Sequence, residues 1–169
     1  MIDSYLHEIF SGAPGPGRSA LSAAKIEHVT TAKKVTKRWG EERWLIAEGA
    51  PFGFKVINIR AGQKTSLQYH ERKEEANLVL RGSGVFLYAN ASNEPLKQAD
   101  LSAGDIIHIL PGKVHRIHAR TDVTLIEVST PELDDVIRLE DDWNRGSGRI
   151  ESEHSGEEVE QDGFQGGAI

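Results

Sequence analysis

Four side chains in the middle of the chain have the types and placement to bind a cation. Gln68 and His70 lie two residues apart, so on a strand both face the same side. Glu75 arrives after a turn on the following strand, and His115 comes from a distant hairpin. Two imidazoles, one carboxylate and one amide oxygen make a nitrogen and oxygen donor set without sulfur, which suits one divalent ion of Zn, Mn, Fe, Ni or Co and does not choose among them. With room beside it for a substrate oxygen, such an ion acts as a Lewis acid. The remaining histidines His7, His28, His118 and His154 read as surface or core residues, and His108 as structural.

These four need a scaffold, and the chain between about residues 32 and 145 supplies one. ERWLIA, FKVINIR, ANLVLRG, GVFLYA, DIIHIL, VHRIHA and VTLIEVS are short runs rich in Val, Ile, Leu and aromatics, the length and composition of strands. Turn signals such as Ala61-Gly62, Gly82-Ser83-Gly84, Ala103-Gly104-Asp105 and Pro111-Gly112 separate them. Many short strands at this spacing predict an all-β sandwich or barrel. One stretch, PELDDVIRLEDDW at 131–143, is expected to be partly helical. Its acidic residues Asp134, Asp135, Glu140, Asp141 and Asp142 read as a solvated face. Trp39, Trp44 and Trp143 read as core or barrel-end packing rather than sugar-stacking platforms.

The flanks differ. Residues 1–31 contain the helix-breaking cluster SGAPGPG, preceded by Tyr5, Leu6, Ile9 and Phe10, which could form one short amphipathic turn that docks elsewhere. Residues 146–169 are acidic and Gly-rich, and are expected to be a disordered tail. The whole chain has 169 residues, a formal charge of −6 and no cysteine. Disulfides, thiolate metal sites and cysteine nucleophiles are thereby excluded. The acidic balance speaks against a nucleic-acid partner, and no apolar run is long enough to cross a bilayer. The first residues lack the pattern of a signal peptide, so a cytoplasmic protein is expected.

The spacing around the four candidate ligands resembles the cupin superfamily. Gly62, Gln68, His70, Glu75 and Gly82 match the first cupin motif, Gly-x5-His-x-His-x4-Glu-x6-Gly, with Gln68 in the first His slot. Gly104, Gly112 and His115 fall in register with the second motif, in which Leu110 replaces a Pro and Ala119 an Asn. The resemblance implies a double-stranded β-helix, or jelly-roll barrel, with Gln68, His70, Glu75 and His115 as metal ligands at its mouth.

Within that superfamily the chain is similar to the isomerase domain of type II phosphomannose isomerases. SLQYHERKEE looks like the family's SLQ-x-H segment, in which Gln in the first slot is usual. Lys37-Arg38-Trp39-Gly40 matches its Lys/Arg-Pro-Trp-Gly motif except for Arg38, His115-Arg116 matches its His-Arg pair, and residues 126–145 look like its closing segment. The similarity covers about residues 36–145, with no nucleotidyltransferase domain ahead of it. It implies a metal-dependent interconversion of mannose 6-phosphate and fructose 6-phosphate through a cis-enediol. The base for the proton transfer would be Glu127, Lys55 or no side chain at all. Phosphate would be met from among Lys37, Arg38, Lys55, Arg60, Arg116 and Arg138, with Arg138 and Lys55 better placed than Arg116, which by strand alternation starts on the face opposite His115. The alternatives are a non-catalytic sugar-binding or sensor cupin and a metal-dependent dioxygenase. The implied partners are a small sugar or sugar phosphate and a second copy of the chain in a homodimer.

Overall fold

Alternation along the strands decides the architecture. In Gly53–Ile59 the residues Lys55, Ile57 and Ile59 are buried, and in Val123–Ser129 so are Val123, Leu125, Glu127 and Ser129. Each strand therefore turns one face inward. In the computed structural model, which describes residues 27–46, 49–143 and 147–149, such strands assemble into two antiparallel sheets. In chain order they are β1 (Lys33–Lys37), β2 (Gly40–Trp44), β3 (Gly53–Ile59), β4 (Leu67–Tyr69), β5 (Glu75–Arg81), β6 (Ser83–Ala89), β7 (Lys97–Ser102), β8 (Ile106–Ile109), β9 (Val114–Ala119), β10 (Val123–Ser129), β11 (Ile137–Glu140) and β12 (Gly148–Arg149). A single 3-10 turn, Val29–Thr31, precedes β1, and among the described residues no helix is long and apolar enough to cross a membrane.

One sheet has the order β1-β2-β3-β10-β5-β8 and the other β12-β11-β4-β9-β6-β7. The neighbours are mostly distant in sequence, as in a jelly roll, the all-β single-domain fold expected. The inner faces meet in a core of Ile57, Ile59, Val79, Leu101, Ile107, Ile109, Ile117, Val123 and Leu125, with Trp39 at its border. Burying each such side chain contributes about 1.5–3 kcal/mol. All seven runs identified as strands in the sequence are strands here.

The stretch 131–143 is not helical. After Pro131 it forms turns closed by Asp135 N–H donating to the Glu132 carbonyl, and then the strand β11. The reason is tertiary: Ile137 and Arg138 pair with Tyr69 and Gln68 of β4, so the backbone groups a helix would use inside itself serve the sheet. Gly148 and Arg149 pair with Arg138 and Ile137 as β12, inside the zone expected to be tail. The expected docking turn around Tyr5 to Phe10 and the acidic tail beyond Arg149 lie outside the described residues.

Candidate metal centre and cavity

At one end of the barrel the inward positions change from apolar to charged. Ile59, Ile57 and Lys55 follow one another on the inner face of β3, Val123, Leu125 and Glu127 on β10, and Val79, Asn77 and Glu75 on β5. Register carries the match across strands, since Lys55 pairs with Glu127 and Glu127 with Asn77. The result is a cavity of about 70 Å3, floored by Trp39, Ile57, Ile109 and Leu125 and walled by polar groups. It has several times the ~10–15 Å3 that one water needs by the same measure.

Glu75 and His115 line this cavity, and with fully buried His70 they bring their ligand atoms within 4.8 Å of one another. His70 Nε2 lies 3.5 Å from Glu75 Oε2, and His115 Nε2 lies 3.5 Å from Glu75 Oε1. The other ring nitrogens are already used. His70 Nδ1 donates to the Asp135 carbonyl, and His115 Nδ1 donates to the Lys113 carbonyl at 3.0 Å. With both protons on Nδ1, both Nε2 lone pairs face a carboxylate, and buried His70 Nε2 has no hydrogen-bond partner. Acceptors aimed at acceptors in a buried site call for a cation between them, and the carbonyl-bound Nδ1 is the usual support for a ligating imidazole. The residues therefore fit a divalent metal. Gln68 sits beside them, paired with His115 across β4 and β9, with its Oε1 accepting from Ser66 Oγ at 2.7 Å.

A chain of alternating charges leads away from this point. Lys73 Nζ contacts Glu75 Oε2 and lies 3.5 Å from Glu127 Oε1; Lys55 Nζ lies 3.6 Å from that same oxygen and 3.6 Å from Glu42 Oε2. Trp44 Nε1 donates to Glu42 at 3.2 Å, and its ring lies 4.7 Å from Lys55 Nζ. All five charged groups are buried. Burial alone would raise the Glu75 pKa, but the Lys73 ammonium and the two imidazoles hold it well below the usual carboxylate range. Burial likewise works against the Lys73 charge, and Glu127 and Glu75 outweigh it, so its pKa is raised. For His115 burial prevails over the attraction of Glu75 and lowers the pKa to about 4. The site thus holds a neutral imidazole, an ionised carboxylate and a charged lysine at neutral pH.

With this geometry in place, comparison with known proteins is decisive on ancestry. The family described as mannose-6-phosphate isomerase C-terminal matches residues 24–141. The chain belongs to that family. No curated protein sequence matches it significantly. Solved structures agree on the fold. The capsular polysaccharide assembling protein CapF from Staphylococcus aureus superposes with a TM-score of 0.57 at 20% identity, over 65% of this chain and 32% of CapF. A variant of Bacillus subtilis oxalate decarboxylase gives 0.56 at 14% identity, over 66% of this chain and 31% of that one. Ectoine synthase from P. lautus gives 0.56 at 16% identity, over 69% and 90%. The chain thus matches only about a third of the length of CapF.

Of the residues singled out in the sequence of this phosphomannose-isomerase-like cupin, the structure brings Gln68, His70, Glu75, His115, Lys55 and Glu127 together. Five others lie elsewhere, and of these Arg38 and Arg60 are outside the cavity lining, with Arg60 donating to the Arg38 carbonyl. Arg116 starts on the face opposite His115, as alternation required, and donates to the Thr65 carbonyl at 2.8 Å and to Glu140 at 3.0 Å, with Asp142 at 3.2 Å. Arg138, on β11 opposite Gln68, and Lys37, on the edge strand β1, are buried but do not line the cavity. The acidic run is not a uniform solvated face. Asp135 is buried, and its Oδ2 accepts from Arg72 N at 2.5 Å and Lys73 N at 2.9 Å. Glu42, Lys73, Asn77 and Asp135 escaped the sequence reading. For Lys73 a signal existed, because it lies between two ligand positions, and for Glu42 there was its alternation with Trp44. Asp135 had none, since its partners come from a loop more than 60 residues away.

Proposed function

We propose that this cupin is a metal-dependent aldose–ketose isomerase of the mannose 6-phosphate/fructose 6-phosphate type. The observation that carries the reading is the meeting, at one buried cavity, of a three-residue cation site with a carboxylate flanked by two lysines. Family membership supports the same chemistry. His70, Glu75 and His115 would hold the ion, with Gln68 completing the set. The ion would supply a Lewis acid for the C1 and C2 oxygens.

The chain's own groups account for the rest. Glu127 takes the proton from C2, the C2–H electrons form the C1=C2 bond of an enediol, and O1 is protonated. The reverse steps deliver the proton from Glu127 to C1, while O2 becomes the ketose carbonyl and the proton it gives up balances the one taken up by O1, so that no proton is gained or lost overall. No oxidant is consumed. Lys55 and Lys73 hold Glu127 between them and orient its carboxylate towards the cavity. The walls keep bulk water from trapping the enediol. A positioned base of this kind contributes about 10²–10⁴-fold.

The test is deuterium incorporation at C2 of mannose 6-phosphate in deuterated water by protein loaded in turn with each of the candidate metals. Exchange is expected, and it should fall about 10²-fold or more in Glu127→Gln. Absence of exchange at full metal occupancy would remove the isomerase reading and leave a sugar-binding cupin.

A further inference from the structure

The carboxylate of Glu75 has two claimants. Its Oε2 meets the Lys73 ammonium and lies 3.5 Å from His70 Nε2. Its Oε1 lies 3.5 Å from His115 Nε2 and accepts from Asn77 Nδ2 at 3.4 Å. A divalent ion between the two imidazoles would draw on these same oxygens. An ammonium and an ion on one carboxylate are like charges a few ångströms apart. All the groups concerned are buried, so water screens the repulsion little.

Lys73 has a second partner within reach. Its backbone is fixed, because its N–H donates to Asp135 Oδ2 at 2.9 Å. Its four-carbon stem can still swing the ammonium between Glu75 and Glu127, whose Oε1 lies 3.5 Å from Nζ. Lys55 is placed differently: its Nζ is shared by Glu42 and Glu127, each at 3.6 Å. The two lysines therefore line one cavity and flank one carboxylate, but Lys73 is the one that also holds a metal ligand. Without either an ammonium or an ion, Glu75 would be a buried charge left without its compensation, which is strongly unfavourable.

We propose that Lys73 is a positioning residue that competes with the metal for Glu75: it neutralises that carboxylate while the ion is away and turns to Glu127 when the ion binds. Metal loading then tightens the hold on Glu127 as well as completing the cation site. The competition rests on the cation site, and only its consequence for a catalytic base rests on the isomerase reading above. Linkage makes the effect reciprocal, so that Lys73 weakens metal binding by as much as the metal weakens its bond to Glu75.

The experiment is competition between the full chain and a chromophoric chelator for zinc, with urea unfolding of the metal-free and zinc-loaded protein. Lys73→Met keeps most of the stem without the charge. It should bind zinc at least about tenfold tighter than wild type and lose more stability metal-free than zinc-loaded. Lys55→Met removes the same charge from the same cavity without touching Glu75, and its gain should be several-fold smaller. Lys73→Arg restores a cation and should lose most of the gain. A Lys73→Met protein that folds only with zinc would be the expected result at its extreme. One that fails to fold even with zinc would overturn the proposal, because the ion would then not replace the ammonium. Unchanged or weaker zinc binding in Lys73→Met, or equal gains in the two methionine variants, would overturn it too. Tighter zinc binding in Lys73→Met, together with no C2 exchange by loaded wild type, would remove the isomerase reading and leave the competition standing.

Discussion

At the scale of single residues the metal site and its protons make separate predictions. His70→Ala and His115→Ala each remove an imidazole whose Nδ1 is already fixed on a carbonyl, so metal affinity should fall by orders of magnitude. Gln68→Ala should be milder, because a neutral amide oxygen is the weakest donor and water can take its place. Titration against a chromophoric chelator reads all three, and three wild-type affinities would refute the ligand assignment. The same residues set the acid limit of the metal-free protein. The pKa of His115 falls from its ordinary 6.5 to about 4 in the fold, so between these values the unfolded chain binds more protons and stability drops as pH falls. Glu75, also depressed, adds stability that is present above 4.5 and lost below it, as pH falls through its folded value. The two effects have the same sign. Unfolding free energies from urea titration should decline from pH 7.5 to pH 5 with a slope of up to about 1.4 kcal/mol per pH unit from His115, and the decline should flatten in His115→Gln. Identical free energies at both pH values in the wild type would contradict this. Donor spacing made Gln68, His70, Glu75 and His115 legible in the sequence, whereas Asp135 was not and Lys73 was marked only by its place between two ligand positions. A buried lysine and a buried aspartate look like surface charges until the partners that compensate them are known.

At the scale of elements, the strands that announced themselves are those that fill the core. Strands β3, β5, β9 and β10 carry apolar residues at their inward positions, and β6, between β7 and β9 in the second sheet, is rich in apolar side chains. The strands missed, β1, β4, β7, β11 and β12, are short or charged, and β1, β7 and β12 form sheet edges. An edge strand can satisfy its ladder on one side and show charge on the other, so Lys97–Ser102 needs only Leu101 inward. The motif glycines were legible as a pattern but not in their differing roles. Gly62, at φ 77°, has open space where a Cβ would stand. Gly82, at φ 88°, would place a Cβ 2.0 Å from the Asp122 carbonyl oxygen. Gly62→Ala should therefore cost only backbone strain, about 1–2 kcal/mol. Gly82→Ala adds a backbone clash and should cost about 1–3 kcal/mol more. Urea unfolding of the two variants checks the order, and an equal loss would mean that the β5–β6 corner yields more readily than its geometry suggests.

At the scale of the whole molecule, the last described strand reaches back to the metal site. Strand β12 lies on β11, and Arg149 contacts Glu71 and approaches Asp135 Oδ1 at 3.5 Å. Asp135 in turn accepts from the backbone of Arg72 and Lys73 and takes the Nδ1 proton of His70 on its carbonyl. The loop between the ligands His70 and Glu75 is thus tied to a segment that composition alone would assign to a tail. A fragment of residues 27–149 should bind metal as the full chain does, because every described contact of the site lies within it. One of residues 27–146 lacks β12 and should bind several-fold more weakly. The Arg149–Asp135 contact is long and half-exposed on the arginine side, so Arg149→Ala in the full chain should cost less than the 10–100-fold typical of groups that orient ligands. Asp135→Ala removes the acceptor of two backbone N–H groups in a buried loop and should reach that range. The order Asp135→Ala, then loss of β12, then Arg149→Ala, read by chelator competition on each protein, is the expected ranking. If loss of β12 left affinity unchanged while Asp135→Ala abolished it, the loop would be held by Asp135 alone, and the barrel would end at β11.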